Sequence, residues 1–177
     1  MKQSVFWRAG TPCNQEQEQI LELVRIGLKS SGLTPLQPKF SGKAPLLNVR
    51  ETLDQCAGIV VVAYPRYLIE KGTERPGCKA ESTLENAHLG TTWTHIESAI
   101  AYDRGLPIMI LRDKLVKAEG FLEQTYDRKV QTIDFDTDFL TTEKFGILME
   151  EFSNQIDDFK RGKYKRFSIN RQPNENN

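Results

Sequence analysis

The chain has 177 residues, which is room for one domain with a tail, and 24 basic side chains balance 24 acidic ones. A net charge of zero argues against a dedicated nucleic-acid-binding protein, whose phosphate contacts need a basic excess. The three cysteines form no Cys-x-x-Cys pair, so neither a disulfide framework nor a zinc ribbon is indicated. No apolar run approaches the ~18 residues that span a bilayer, and the first residues lead directly into a strand-like run without a signal-peptide pattern. We therefore expect a cytoplasmic protein with no membrane contact.

The predicted elements alternate between strand and helix along most of the chain. In order, they cover residues 4–8 (strand), 15–31 (helix), 33–37 (strand), 45–56 (helix), 58–63 (strand), 92–104 (helix), 108–111 (strand), 130–135 (strand) and 142–159 (helix). Pro35 cannot donate to a ladder, so the second strand is predicted at a sheet edge. Residues 58–63 are continuous and β-branched, which is typical of a strand covered on both faces.

One long segment, residues 64–90, shows neither helical nor strand periodicity. Loops of this length are usually functional or mobile. We therefore predict a lid or partner-contacting loop that is more mobile than the sheet.

The alternation predicts an α/β fold: a doubly wound, mainly parallel five-stranded sheet. Right-handed crossovers and a reversal of strand order beside the first strand give the flavodoxin-like order 2-1-3-4-5. Ligands of such sheets bind at the carboxyl ends of the strands near that reversal. Residues 8–14, after the first strand, and 64–67, after the third, should therefore line the site.

Several common sites of such folds lack their motifs here. A response regulator needs an aspartate at the end of the third strand, where this chain has Tyr64. The first loop has one glycine, too few for a Gly-x-Gly-x-x-Gly motif, and a Walker loop is absent. Cys78, His88 and His95 match no metal-ligand spacing, so we predict no metal site.

The most informative helix lies within residues 90–102. Its predicted core stripe, at ~100° per residue, consists of the apolar residues Ile96, Ala99 and Ile100. Glu97 falls at the edge of this stripe, one turn along from Trp93. No lysine or arginine lies three or four residues from Glu97, so the usual helical ion pair is missing. This carboxylate is either a functional group or an ordinary surface residue that is solvated or pairs with Arg104. A half-buried charge is energetically costly, which favours the functional interpretation.

This part of the chain resembles TIR domains with NAD-cleaving activity. The resemblance consists of a Trp-x-x-x-Glu pair after a long third-strand loop, and then a small-residue turn, Gly-x-Pro and a buried strand. The same pattern is equally similar to the nucleoside 2-deoxyribosyltransferase-like superfamily, which includes nucleotide N-glycosidases. The matching residues are Trp93, Glu97, Ala101, Tyr102, Gly105, Pro107 and Ile108. The likeness in topology covers residues 4–135. Where the deoxyribosyltransferases have Ala-Gly-Pro in the first loop, this chain has a threonine between Gly10 and Pro12.

The resemblance implies that Glu97 is the catalytic residue of an enzyme that cleaves an N-glycosidic bond in NAD or a nucleotide, in bacterial defence or signalling. NAD would be a substrate, and no cofactor is implied. Residues 1–160 would form the TIR-like or deoxyribosyltransferase-like domain, which we expect to form homo-oligomers, and residues 161–177 a basic, then polar, tail. Two alternatives stay open: a non-catalytic nucleotide-binding sensor or scaffold, and a nucleoside 2-deoxyribosyltransferase.

The candidate substrate-binding residues lie on the loops after strands one and three and on the Glu97 helix: Arg8, Gly10, Thr11, Tyr64, Arg66 and Trp93. Arg8 and Arg66 could contact a phosphate, and Arg8 alternatively a ribose hydroxyl. Tyr64 could stack a base. Thr11 and the backbone amides from Gly10 to Asn14 could form an anion nest.

Overall fold

The computed structural model describes residues 3–39, 42, 44–125, 130–134 and 137–164. Its strands are β1 (Gln3–Ala9), β2 (Leu33–Leu36), β3 (Ile59–Ala63), β4 (Tyr67–Glu74), β5 (Ser82–Leu89), β6 (Ile108–Asp113) and β7 (Val130–Ile133). Its α-helices are α1 (Gln15–Ser30), α2 (Pro45–Leu53), α3 (Thr92–Asp103), α4 (Thr137–Leu140) and α5 (Glu143–Lys160). A short 3-10 helix covers Gly120–Leu122. No helix in these described ranges is long and apolar enough to cross a membrane.

Five strands form one sheet in the order β2-β1-β3-β6-β7, and every neighbouring pair is parallel. Counting only these strands, the order is 2-1-3-4-5, so the predicted flavodoxin-like arrangement is confirmed. β2, which contains Pro35, lies at an edge as predicted. β3 and β6 are central neighbours, with Ile59 opposite Ile108 and Ala63 opposite Arg112.

The sheet separates two hydrophobic layers, because alternate strand residues point to opposite faces. On one face, Trp7 and Val60 pack with α1 and α5 residues such as Leu28 and Phe152. On the other face lie Phe6, Val61, Leu53 of α2 and Ala101 of α3, a set that shares one core. All five residues of β3 are buried, as its β-branched run predicted.

The helix boundaries follow local signals in the sequence. The Asn14 side chain accepts a hydrogen bond from the Gln17 N–H at 2.8 Å and caps α1. The carboxyl end of α3 is followed by Gly105 at φ 72, a left-handed conformation that glycine adopts without a Cβ penalty. The short α4 was not predicted. Residue 135, the predicted end of the last strand, and residues 165–177 of the predicted tail lie outside the described residues.

The segment 64–90 is not an irregular loop, so the prediction of a loop is wrong, whereas its greater mobility and its role as a lid or partner contact stay predictions. β4 and β5 form an antiparallel hairpin that runs from the pair Tyr67 and Leu89 to the pair Glu74 and Ser82. The hairpin is joined to the segment after β6, where Lys117 Nζ lies 2.7 Å from Glu74 Oε1. Both strands are mostly exposed, so they lack the apolar alternation that would mark them in the sequence.

Candidate functional site

The buried face of α3 is not the one that its apolar residues predicted. Thr94, Glu97, Ser98 and Ala101 are buried, whereas Ala99 is exposed and both isoleucines are only partly buried. α3 contacts β1, β3 and β6, so a polar face of the helix lies against the sheet. The reason is that a residue of β1 pairs with the Glu97 carboxylate and so lowers the cost of burying it. The spacing of residues along α3 alone does not reveal this partner.

That partner is Arg8, whose Nε lies 2.9 Å from Oε2 of Glu97. Only 1% of the Glu97 side chain is exposed, against 17% for Arg8. The contact is an ion pair without an aligned hydrogen bond, and neither Glu97 oxygen accepts one from any residue that the structure describes. The alternative that Glu97 meets Arg104 is wrong, because Arg104 instead pairs with Asp54 at 2.9 Å.

Burial raises the pKa of Glu97 to about 7, and the positive charge of Arg8 offsets this only in part. Burial also lowers the pKa of Arg8, while the Glu97 charge acts in the opposite direction. Near neutral pH, Glu97 therefore exists in both protonated and ionised forms. A carboxyl group of this kind is suited to acid–base or electrostatic catalysis at physiological pH.

Gly10 and Tyr64 meet at the reversal of strand order, as the fold predicted. A Cβ atom at Gly10 would lie 3.0 Å from the Tyr64 hydroxyl oxygen, so the absence of a side chain permits the close approach. Tyr64 is only 5% exposed and belongs to the core that α1 covers. Its ring therefore has little open surface for the base stacking that the sequence suggested. Burial raises the pKa of Tyr64 to about 12, which keeps its phenol protonated at neutral pH.

The other predicted substrate-binding residues have different surroundings. Arg66 is exposed, and its backbone N–H donates to the Leu89 carbonyl at 2.8 Å, at the base of the hairpin. Thr11 is exposed beside Gly10. Trp93 is half-buried and packs against the core shared by α2 and α3.

The predicted anion nest is partly occupied by the protein itself. The Cys13 N–H donates to Oε1 of Gln17 at 2.9 Å, and the Asn14 side chain accepts from the Gln17 N–H. Acidic Glu16 and Glu18 also lie in the first turn of α1. These contacts disfavour the nest as the main anion site, because the Cys13 amide already has an acceptor and the nearby charge is negative.

Sequence reasoning missed three polar residues of the site. Thr91, which precedes α3, lies within reach of Arg8, whose Nη2 is 3.4 Å from the threonine hydroxyl oxygen. Thr94 and Ser98 share the buried face of α3 with Glu97. Their spacing of i, i+3 and i+4 is itself a signal of one common helical face, which the search for apolar residues overlooked.

Residues suited to hold a metal do not gather at this site. Within the described ranges, no group of three or more His, Cys, Asp or Glu side chains could hold a metal ion. Of the rejected metal trio, Cys78 is exposed in the hairpin turn, and His95 accepts a hydrogen bond from the Phe121 N–H at 3.3 Å.

Comparison with known proteins adds little to this geometry. No family model and no curated protein matches the chain. Two solved structures resemble it over most of its length. A constitutive lysine decarboxylase from E. coli has a TM-score of 0.47 at 11% identity, covering 88% of this chain, which spans 18% of the decarboxylase. A diflavin flavoprotein A3 from Nostoc sp. has a TM-score of 0.40 at 10% identity, covering 92% of this chain and 98% of that one. Likenesses this distant carry no argument about function, and the fold assignment rests on the strand order.

Proposed function

We propose that this protein cleaves the N-glycosidic bond of NAD or another nucleotide and that Glu97 is its catalytic residue. The observation that carries the proposal is a fully buried glutamate, with a pKa near 7, paired to Arg8 at the carboxyl end of β1. This is the edge of the sheet where doubly wound folds bind ligands. The Trp93 and Glu97 spacing that resembles NAD-cleaving and deoxyribosyl-transferring families supports the same reaction class.

The chemistry required of Glu97 follows from the bond to be broken. When the bond between ribose C1′ and the base nitrogen breaks, its electron pair leaves with the base and positive charge develops on the sugar ring. An ionised carboxylate near C1′ stabilises this charge or attacks it, and a water-poor site strengthens the effect. Water then supplies the hydroxyl group that completes C1′, and its remaining proton passes to the departing base or, where the base leaves uncharged as nicotinamide does, to solvent. Transfer to a second base, as in a deoxyribosyltransferase, differs only in that acceptor.

Arg8 has two roles in this proposal. Its charge opposes the effect of burial on Glu97, so that a useful fraction of the carboxylate is ionised at neutral pH. It also lies against the carboxylate of Glu97, whose side chain is 1% exposed. Substrate therefore reaches Glu97 only after Arg8 or an adjacent segment moves. An anionic group of the substrate would draw Arg8 away from Glu97 and so couple binding to opening.

The closed carboxylate also favours one alternative, a non-catalytic nucleotide-binding sensor or scaffold. Such a protein would bind a nucleotide at the same edge of the sheet without exposing Glu97 to ribose. The two functions differ in a single observable, the release of base from bound nucleotide.

The deciding experiment incubates the purified protein with NAD, nucleoside monophosphates and deoxynucleosides and monitors free base by chromatography. We expect release from a phosphate-bearing substrate by the parent protein and its loss in Glu97→Gln. Glu150→Gln, an exposed glutamate of α5, is the matched control and should retain the parent rate. Binding without turnover would instead support the sensor. Release that requires an added acceptor base would support a transferase.

A further inference from the structure

Three arginines from three different parts of the chain contribute positive charge at Tyr64, the residue that follows β3. Arg8 comes from β1, Arg25 from α1, and Arg66 from the connection to β4. The guanidinium carbon of Arg25 lies 5.0 Å from the ring centroid of Trp7, the β1 neighbour of Arg8. All three positive charges act on the Tyr64 hydroxyl, where they oppose the effect of burial on its pKa.

Two of these arginines have an acidic partner. Arg8 is paired with Glu97. Arg25 lies 3.6 Å from Glu22, a contact between partly exposed side chains that contributes little. Arg66 forms no ion pair with any residue in the described part of the chain. The Arg66 charge also disfavours the charged form of Arg8, so Arg66 supplies positive charge to this edge of the sheet.

The arginines lie on both sides of the sheet. Arg8 and its partner Glu97 are on the α2 and α3 side, whereas Trp7 and Arg25 are on the α1 side. Tyr64 and Gly10 lie between them, at the carboxyl ends of β1 and β3. A ligand with its ribose at Glu97 would therefore cross this edge toward Arg25.

We propose that Arg25 and Arg66 bind the phosphate groups of the ligand, so that the site takes a phosphate-bearing nucleotide and not a free nucleoside. Guanidinium groups suit this role because their planar N–H pairs match phosphate oxygens. Stacking on Trp7 holds the Arg25 guanidinium in place before a ligand arrives. The inference rests on the proposed function for the position of the ribose, but phosphate binding itself requires no cleavage.

The test measures binding by calorimetry in a Glu97→Gln background, which prevents turnover. The probes are NAD, AMP, adenosine and inorganic pyrophosphate. Arg25→Gln and Arg66→Gln should each weaken NAD and AMP binding by about tenfold or more, the effect of one lost charge-assisted contact. Adenosine affinity should change by less than about twofold, since adenosine has no phosphate. Arg161→Gln, at the carboxyl end of α5, removes an equivalent exposed charge and should change nothing.

The inference is wrong if NAD and AMP affinity is unchanged in both arginine variants. It is also wrong if adenosine binding weakens as much as NAD and AMP binding, or if no phosphate-bearing probe binds. Arg25→Lys keeps the charge and should recover part of the affinity, which separates phosphate contact from a general loss of folding. Thermal unfolding of each variant checks the fold directly. If the arginine variants lose nucleotide binding while Glu97→Gln cleaves at the parent rate, the catalytic proposal fails and the phosphate site stands.

Discussion

Nε of Arg8 and Oε2 of Glu97 lie 2.9 Å apart and join the first strand of the sheet to α3 beneath the protein surface. The two residues are 89 positions apart in the sequence, so only the fold brings them together. Removing the Arg8 charge would leave an ionised Glu97 buried without a partner, which is costly. The pair therefore links the stability of the domain to the protonation of its candidate catalytic group.

We expect Glu97→Gln to lower turnover of the cleaved nucleotide by about 10²-fold or more, because the amide cannot stabilise positive charge on the ribose. Glutamine has nearly the same shape as glutamate, so it fits the same buried position on α3. Circular dichroism should therefore show an unchanged fold. The steady-state rate of base release measures the effect. A parent-like rate in the glutamine variant would exclude Glu97 as the catalytic residue.

The raised pKa of Glu97 predicts how stability changes with pH. The folded protein binds a proton at Glu97 more tightly than the unfolded chain does, because the pKa rises from 4.5 to about 7. This contribution is fully present below pH 4.5 and is lost as pH rises through about 7. The difference corresponds to about 3 kcal/mol.

Urea unfolding of the parent and Glu97→Gln at several pH values between 4.5 and 8 isolates this contribution. The parent should lose stability relative to the glutamine variant as pH rises, since glutamine does not titrate. Other groups titrate in both proteins and cancel in the comparison. Parallel pH profiles would show that Glu97 keeps an ordinary pKa in the folded protein.

Gly10→Ala should destabilise the protein by about 1–3 kcal/mol, because overpacking forces neighbours to shift. The new methyl group would lie 3.0 Å from the Tyr64 hydroxyl oxygen. Gly146→Ala in α5 is the matched control: apart from its chain neighbours and the backbone of its own helix, nothing lies within 4 Å of the new Cβ, so alanine there should stabilise the helix by about 0.5–1 kcal/mol.

A double-mutant cycle with Tyr64→Phe assigns the cost of the Gly10 substitution. Phenylalanine lacks the oxygen that the alanine methyl would meet first, so Gly10→Ala should cost less in that background. Chemical denaturation of the four proteins gives the coupling energy. If the changes in unfolding free energy are strictly additive, the cost of Gly10→Ala does not come from steric contact with the Tyr64 hydroxyl.

Lys117→Gln should loosen the hairpin of β4 and β5 without unfolding the sheet. The Lys117 ammonium contacts Glu74 at 2.7 Å, and this hydrogen bond lowers the pKa of Glu74. The Lys117 backbone N–H donates to the His88 carbonyl, and this hydrogen bond would remain, so the hairpin should stay attached. Amide hydrogen exchange should accelerate in β4 and β5 but not in β3. Lys79→Gln, in the turn between β4 and β5, is the control and should leave the amide exchange rates of both strands as in the parent.

The succession of strands and helices could be predicted because its signals are local, and the strand order then followed from the rule of right-handed crossovers. The β-branched run of β3, the proline in β2 and the glycine after α3 each act through the conformation of the residue itself. Glu97 also attracted attention locally, since no cation occupies a helical position near it. The hairpin of β4 and β5 could not be found this way: its strands are stabilised by each other and by Lys117 and not by an apolar face.

The sequence by itself determined that this chain folds as a doubly wound α/β domain and that Glu97 is its most informative polar residue. Only the tertiary structure decided that Glu97 is fully buried, that Arg8 is its partner and that Arg25 lies over the Trp7 ring of the same strand. Periodicity reports which residues share a face of one element, but not which element that face meets. The energy of the buried Glu97 charge depends on its partner Arg8, which lies on a strand far away in the sequence.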